Sequence, residues 1–327
     1  MISVHGLLGP PSLELRVAAA SADWVVGGRR HLDILKVPDE RRITLGALRP
    51  AVERVAAIPS DQLVVVVASG DPLYFGVVRA LREEGLHPEV VTAPSSIASA
   101  FAAVGLPWDD AVVVSTHGRP LATAANLARC LPKVAVLTSA ENGIRELAAQ
   151  LADVHRWYVL AERLGEHDER VRVLDAAAAA ATEPREPNVV LILAAPPEQL
   201  DGPVPGAIAG APRGPRPEVS ALAGLAFART LPEPGEQVWA SGVLGPDLAA
   251  LCRWSLAAVL DPSGTASPCS APPDVVVADS GRLPVLGDRQ RPRAIALAGP
   301  APDHLPGGYR WRTETIGETT LTTGVLP

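Results

Sequence analysis

Short apolar runs alternate with amphipathic stretches of helical period through the first half of the chain. Runs at residues 2–4, 24–26, 63–69 and 89–92 read as strands, and apolar positions at helical spacing mark helices over 48–57, 77–84 and 96–103. That alternation predicts a parallel sheet with covering helices. Gly105 and Pro107 then interrupt the pattern before a new strand at 111–115, which places a domain boundary near residue 106. Further strands are predicted at 134–137, 157–161, 170–174 and 189–193, with a helix over 143–151. The six alanines at 176–181 read as a loop or helix edge. Residues 196–218 are dense in Pro and Gly and read as a linker.

Beyond the linker lies a third region, 219–327. "EVSALAGLAFARTL" and "PDLAALCRWSLAAV" read as helices, "EQVWASG", "PDVVVADSG" and "RAIALAGP" as strands, and "GGYRWRTETIGETTLTTG" as a β-hairpin. The pattern is that of a small Rossmann-like domain. The expected parts are therefore residues 1–106, 107–195, a linker at 196–218, and 219–327.

The stretch "VVVVASGDPLYFG" carries the first functional signal. Four valines in a row suit a strand buried on both faces, and a loop at the carboxyl end of such a strand is where open α/β sheets bind ligands. A simple strand-to-helix turn capped by Asp71 fits the same residues.

Composition narrows the partners. Of 327 residues, 47% are hydrophobic and 20% charged, as in a folded soluble protein. A formal net charge of −7 argues against nucleic acid as a partner, because binding phosphate backbones needs a basic face. It leaves room for a small anionic ligand held by local arginines. Cys130, Cys252 and Cys269 are scattered, and so are the histidines, so no disulfide framework or metal site is expected. The apolar runs are shorter than a membrane span and no leader pattern opens the chain, which makes cytoplasm the expected location.

Taken in order, "VVGGRRHL", "ASGDPLYFG", "APSSIASAFAAVGLPWDDAVVVSTHGR", "LTSAENGIRELAAQL" and "AERLGEHDERV" resemble the blocks of the tetrapyrrole (corrin/porphyrin) methyltransferase family. Within it, the resemblance is to the C5-methylating part of the precorrin-6Y C5,15-methyltransferases of cobalamin biosynthesis. It covers roughly residues 1–195. The resemblance implies an α/β, two-domain tetrapyrrole methylase fold with a ligand cleft between the domains, followed here by a shortened Rossmann-like C-terminal domain. It further implies S-adenosylmethionine as methyl donor, a precorrin or cobalt-precorrin substrate, a homodimer, and neither membrane nor nucleic-acid partners.

The family's cofactor positions fall on Gly9, Gly70, Asp71, Pro72, Tyr74, Ser95, Ser96 and Glu162. Tyr74 fits a core role equally well, and Ser96 fits a helix N-cap. Arg29, Arg30, His31 and Arg119 are the candidates for the acetate and propionate carboxylates of the substrate, since a guanidinium binds a carboxylate in bidentate fashion. Methyl transfer from a sulfonium asks chiefly for alignment and exclusion of water. His117 and Glu141 are the candidates for taking up the ring proton.

Three positions depart from the family pattern. The first loop reads "HGLLGPPSLE", with a bulkier centre than the usual glycine-rich turn, and Ser139 stands where an acid is usual. In "EQVWASGVLGPDLAAL" the acid expected after Trp239 is Ala240, and Val243 and Leu244 break the glycine cluster. The C-terminal region therefore reads as a degenerate relic, with the C15 reaction either left to a separate enzyme or absent. A noncatalytic tetrapyrrole- or adenosyl-binding protein is the alternative from another functional class.

Overall fold

The computed structural model describes residues 1–74, 76–200, 218–254, 258–260, 272–283 and 291–327. Most of the expected linker and Cys269 lie outside these residues. The chain packs into two compact units, one of residues 1–106, 161–172 and 185–189, the other of 107–160, 173–184 and 190–327. The architecture is α/β throughout.

The first sheet contains β1 (Ile2–Leu7), β2 (Trp24–Gly27), β3 (Arg42–Thr44), β4 (Val64–Ser69) and β5 (Glu89–Val91). All its strands run parallel in the order β3-β2-β4-β1-β5. Helices α1 (Leu13–Ser21), α2 (Arg29–Ile34), α3 (Leu48–Ala56), α4 (Val77–Glu83) and α5 (Ser96–Ala103) connect and cover it. The valine run shows why. Val64 and Val66 pack with Val52 and Val55 of α3 and Val77, Val78 and Leu81 of α4. Val65 and Val67 pack with Leu15 and Ala19 of α1 and Leu32 of α2. Successive strand side chains point to opposite faces, so a strand apolar at every position needs a helical layer on each side.

The second sheet contains β6 (Val112–Ser115), β7 (Lys133–Leu137), β8 (Trp157–Glu162), β9 (Arg170–Leu174) and β10 (Asn188–Leu193), in the order β6-β7-β10-β8-β9. Helices α6 (Leu121–Cys130), α7 (Ile144–Gln150) and α8 (Ala176–Ala181) accompany it. Helix α8 is the alanine run expected as a loop or helix edge. Alanine has the highest helix propensity, and Asp175 caps the helix by accepting from the Ala178 N–H at 2.8 Å.

The third sheet contains β11 (Gln237–Ala240), β12 (Ala258–Leu260), β13 (Val275–Asp279), β14 (Ala294–Ala298), β15 (Arg310–Ile316) and β16 (Thr319–Val325). Its order is β12-β11-β13-β14-β16-β15, parallel from β12 to β14, with β16 antiparallel to β14 and to β15. Helices α9 (Ala221–Thr230) and α10 (Gly245–Trp254) belong to it. Ala258 and Val259, expected to end a helix, fall in β12, because pairing with β11 extends the sheet. Helix α6 carries the fully buried Asn126, whose side-chain amide donates to the Gly235 carbonyl at 3.2 Å. Gly235 is at φ +88°, and a Cβ there would come within 2.9 Å of the Thr123 methyl.

Just past the Gly105–Pro107 break, Lys133 Nζ forms an ion pair with Asp110, 2.9 Å from Oδ1, and donates to the Pro107 carbonyl at 3.0 Å. Both side chains of the ion pair are almost wholly buried. Removing one partner of such a pair strands a desolvated charge. Lys133→Ala is therefore expected to lower unfolding free energy by about 3–5 kcal/mol. The Lys133→Met/Asp110→Leu double variant is expected to recover most of that loss, as measured by urea denaturation.

Candidate functional site

Backbone converges at the carboxyl ends of the first sheet. Strand β4 ends where the Gly70 N–H turns to donate to the Leu7 carbonyl of β1 at 2.8 Å, with Gly70 at φ +67°. A Cβ on Gly6 would lie 2.5 Å from the Gly70 oxygen and 2.8 Å from the Ala93 Cβ. A Cβ on Gly70 would press on the Ser96 amide at 3.3 Å. Leu7, one of the residues that thicken the first loop in sequence, is the last residue of β1 and packs into the core. Gly9 keeps the positive φ of a glycine turn, +75°, and meets Gly165 backbone to backbone.

The loop after β4 is an Asx turn. Asp71 Oδ1 accepts from the Leu73 N–H at 2.9 Å, and the Tyr74 N–H donates to the Asp71 carbonyl at 3.1 Å. Oδ2 of Asp71 has no partner among the described residues and remains an acceptor for a ligand. Pro72 is buried, while Tyr74 is half-buried, its hydroxyl pKa raised by burial and by the Asp71 charge. The cap of α5 is Ser95 rather than the expected Ser96. Ser95 Oγ accepts from the Ala98 N–H at 3.0 Å, and Ser96 is the first helical residue.

Sheet topology singles out a second locus. The chain leaves β2 for β3 on one side and leaves β4 for β5 on the other, so the connections diverge at the carboxyl ends of these two neighbours. Such a switch point is where open parallel sheets take ligands. Gly28, Arg29, Arg30 and His31 follow β2 at this place. Arg29 is exposed, and Arg30 forms an ion pair with Glu166. His31 is only 8% exposed, and its Nδ1 is buried without a hydrogen-bond partner of good geometry. Burial first, and then the Arg30 charge, push its pKa down to about 4, against an opposing influence of the Val67 backbone. His31 is accordingly a neutral imidazole at pH 7.

Glu162 does not stand open to a ligand. It is 1% exposed and accepts from the Arg185 N–H at 2.8 Å and from Arg172 Nη2 at 3.3 Å. Glu166, Arg163 and Asp168 form the rest of this ion-pair chain, and sequence reading passed over them. Their signal was the charge density of "AERLGEHDERV", which does not reveal a partner as distant as Arg30.

In the other unit, His117 and Arg119 follow β6 and Glu141 follows β7, all three exposed. Thr116 Oγ1 ties the two loops together, donating to the Leu137 carbonyl at 3.2 Å and the Asn142 carbonyl at 3.0 Å. His117 Nδ1 lies 3.3 Å from Ser115 Oγ. Ser139, in the place of the usual acid, accepts from the Asn142 N–H at 3.2 Å.

The third sheet has its own switch point, between β11 and β13, because β12 lies on one side of β11 and β13 on the other. Gly242 at φ +77° opens the loop there. Asp279, from the end of β13, fills that loop. Its Oδ1 accepts from the Val243 N–H at 3.1 Å, and a Cβ on Gly242 would run into the carboxylate.

The low His31 pKa gives a stability signature. The unfolded chain, with a pKa near the ordinary 6.5, takes up a proton that the folded chain refuses. The stability contribution is complete above about pH 6.5 and is lost as pH falls toward 4. His31→Gln is expected to flatten this part of the melting temperature against pH profile, which differential scanning calorimetry will show.

Residues 12–181 match the family of tetrapyrrole (corrin/porphyrin) methylases. The chain is 34% identical over 203 residues to the cobalt-precorrin-7 C(5)-methyltransferase of Salmonella typhimurium, covering 59% of this chain and 98% of that protein. It is 37% identical over 142 residues to the decarboxylating precorrin-6Y C(5,15)-methyltransferase of a Sinorhizobium species, covering 42% of this chain and 34% of that protein. A crystal structure of a precorrin-6Y methylase of cobalamin biosynthesis from Archaeoglobus fulgidus aligns with a TM-score of 0.46 at 22% identity, over 59% of this chain and 97% of that one. The chain belongs to the tetrapyrrole methylase family.

Proposed function

We propose that the protein is an S-adenosylmethionine-dependent methyltransferase acting at C5 of a precorrin or cobalt-precorrin in cobalamin biosynthesis. The observation that carries this reading is the family match over residues 12–181, which takes in the loops at the carboxyl ends of β2, β4 and β5. The Salmonella relative, named for C5 methylation of cobalt-precorrin-7, supports the position of methylation.

The residues in these loops fit the donor. S-adenosylmethionine supplies an electrophilic methyl carried on a sulfonium. Gly6 and Gly70 keep backbone amides and carbonyls bare of side chains, Asp71 Oδ2 offers an acceptor, and Tyr74 offers an aromatic face. Their work is to hold and align rather than to react. Arg29, Arg30, His31 and Arg119 are assigned to the substrate carboxylates, and His117 or Glu141 to uptake of the ring proton. The homodimer and the four-part division of the chain belong to the same reading.

The C15 methylation and decarboxylation are assigned to a separate enzyme. The support is Asp279, which occupies the loop at the switch point of the third sheet with the chain's own carboxylate.

Calorimetric titration of the full chain with S-adenosylmethionine tests both halves. One site of micromolar affinity, about −8 kcal/mol, is expected, weakened at least tenfold by Asp71→Ala. Incubation with precorrin substrate should add one methyl without release of carbon dioxide. Two donor sites, or carbon dioxide release, would overturn the assignment of the C-terminal region. Absence of donor binding by the folded protein would overturn the enzyme reading.

A further inference from the structure

A chain of alternating charges runs through the first unit. Glu162 pairs with Arg172 and Arg185, Arg185 with Asp168, Asp168 with Arg163, Arg163 with Glu166, and Glu166 with Arg30. Four arginines thus face three carboxylates. The inner end of the chain is closed, because Glu162 is 1% exposed and satisfied by a backbone N–H as well as by its arginines. The outer end is Arg30, whose side chain is 45% exposed.

Glu166 divides its two oxygens. Oε2 accepts from Arg163 Nη2 at 2.6 Å and Nε at 3.1 Å, while Oε1 takes Arg30 Nη1. Glu166 is therefore held from behind by a fork of two hydrogen bonds and holds Arg30 by one nitrogen only. Arg163 keeps this arrangement in the left-handed region, at φ +52°, a conformation uncommon for a non-glycine residue and characteristic of sites under constraint. Nε and Nη2 of Arg30 meet no carboxylate among the described residues, and Nη2 lies 3.4 Å from the His31 ring. The Arg30 guanidinium is half-desolvated and repelled by Arg163, so a further anion at its outer edge relieves it. The His31 Nδ1, buried and without a well-formed hydrogen bond, lies at the same switch point.

We propose that Glu166 is a positioning residue for substrate recognition: anchored by Arg163, it fixes the Arg30 guanidinium so that Nε and Nη2, with His31 beside them, receive one peripheral carboxylate of the tetrapyrrole. The proposal rests on the tetrapyrrole reading above and adds to it a residue that need not touch substrate. Precise aim matters because a two-pronged guanidinium–carboxylate contact is lost when the fork turns away.

The test is fluorescence titration of the full chain with uroporphyrin III, a stable tetrapyrrole fringed with acetates and propionates, beside calorimetric titration with S-adenosylmethionine. Glu166→Gln is expected to weaken uroporphyrin binding about tenfold, the scale of a charge-assisted contact, while donor affinity and melting temperature stay unchanged. Arg30→Gln should weaken it similarly, and the double variant should be no worse than Arg30→Gln alone. Glu166→Asp, which keeps the charge, should recover part of the affinity. Additive losses in the double variant, unchanged or tighter binding by Glu166→Gln, or parallel loss of donor affinity and melting temperature would overturn the inference and leave the tetrapyrrole reading standing. Wild-type protein that binds donor but not uroporphyrin would overturn the tetrapyrrole reading, and the inference with it.

Discussion

Close approach of backbone to backbone at the carboxyl ends of β1, β4 and β5 is the constraint on which the first unit depends. Gly6 faces the Gly70 carbonyl, Gly70 faces the Ser96 amide, and Gly9 faces Gly165. None of these contacts has space for a Cβ without displacement of main chain, and three of the four glycines Gly6, Gly9, Gly70 and Gly165 have positive φ. The purely parallel sheet below brings five strand ends to one edge, and the glycines let the loops there meet at van der Waals distance. The Asx turn at Asp71 and the Ser95 cap then fix the loops in place using side chains that are short and polar.

Charge is handled in different ways at the two switch points. In the first unit it is balanced progressively, from the buried Glu162 outward to the exposed Arg30, so that the inner members hold one another and the outermost is held by Glu166 alone among the described carboxylates. At the switch point of the third sheet it is spent internally. Asp279 satisfies the Val243 amide and occupies the space above Gly242, so a topology that elsewhere admits ligands is filled by the protein itself.

Much of the fold could be read from periodicity because its strands are buried on both faces or bounded by glycine and proline. Helix α1 escaped that reading because Leu13 and Val17 point to solvent and blur the apolar stripe, and α2 because six residues are too few to show a period. The alanine helix α8 has no polar face to display one. The turn at Gly70 and the acceptance of a loop amide by Asp71 were legible since both are local, while the cap expected at Ser96 is made by its neighbour Ser95. Glu162 was read as facing ligand, whereas the structure surrounds it with arginines from positions 172 and 185. The Glu166–Arg30 pair spans 136 residues of sequence, and Asp279 acts on Gly242 from a different strand. Pairings of that kind follow from topology, which composition and spacing do not encode.

The amide of Asn126 has a consequence for how the protein can be shortened. It lies on α6, inside the family match over residues 12–181, yet its hydrogen-bond acceptor is Gly235, well beyond that stretch. A version ended at residue 181 would leave this donor without its carbonyl. The C-terminal region thus covers one face of α6, where Gly235 meets Thr123 and Leu127 as well as Asn126, and that face is fitted to a neighbour rather than to water.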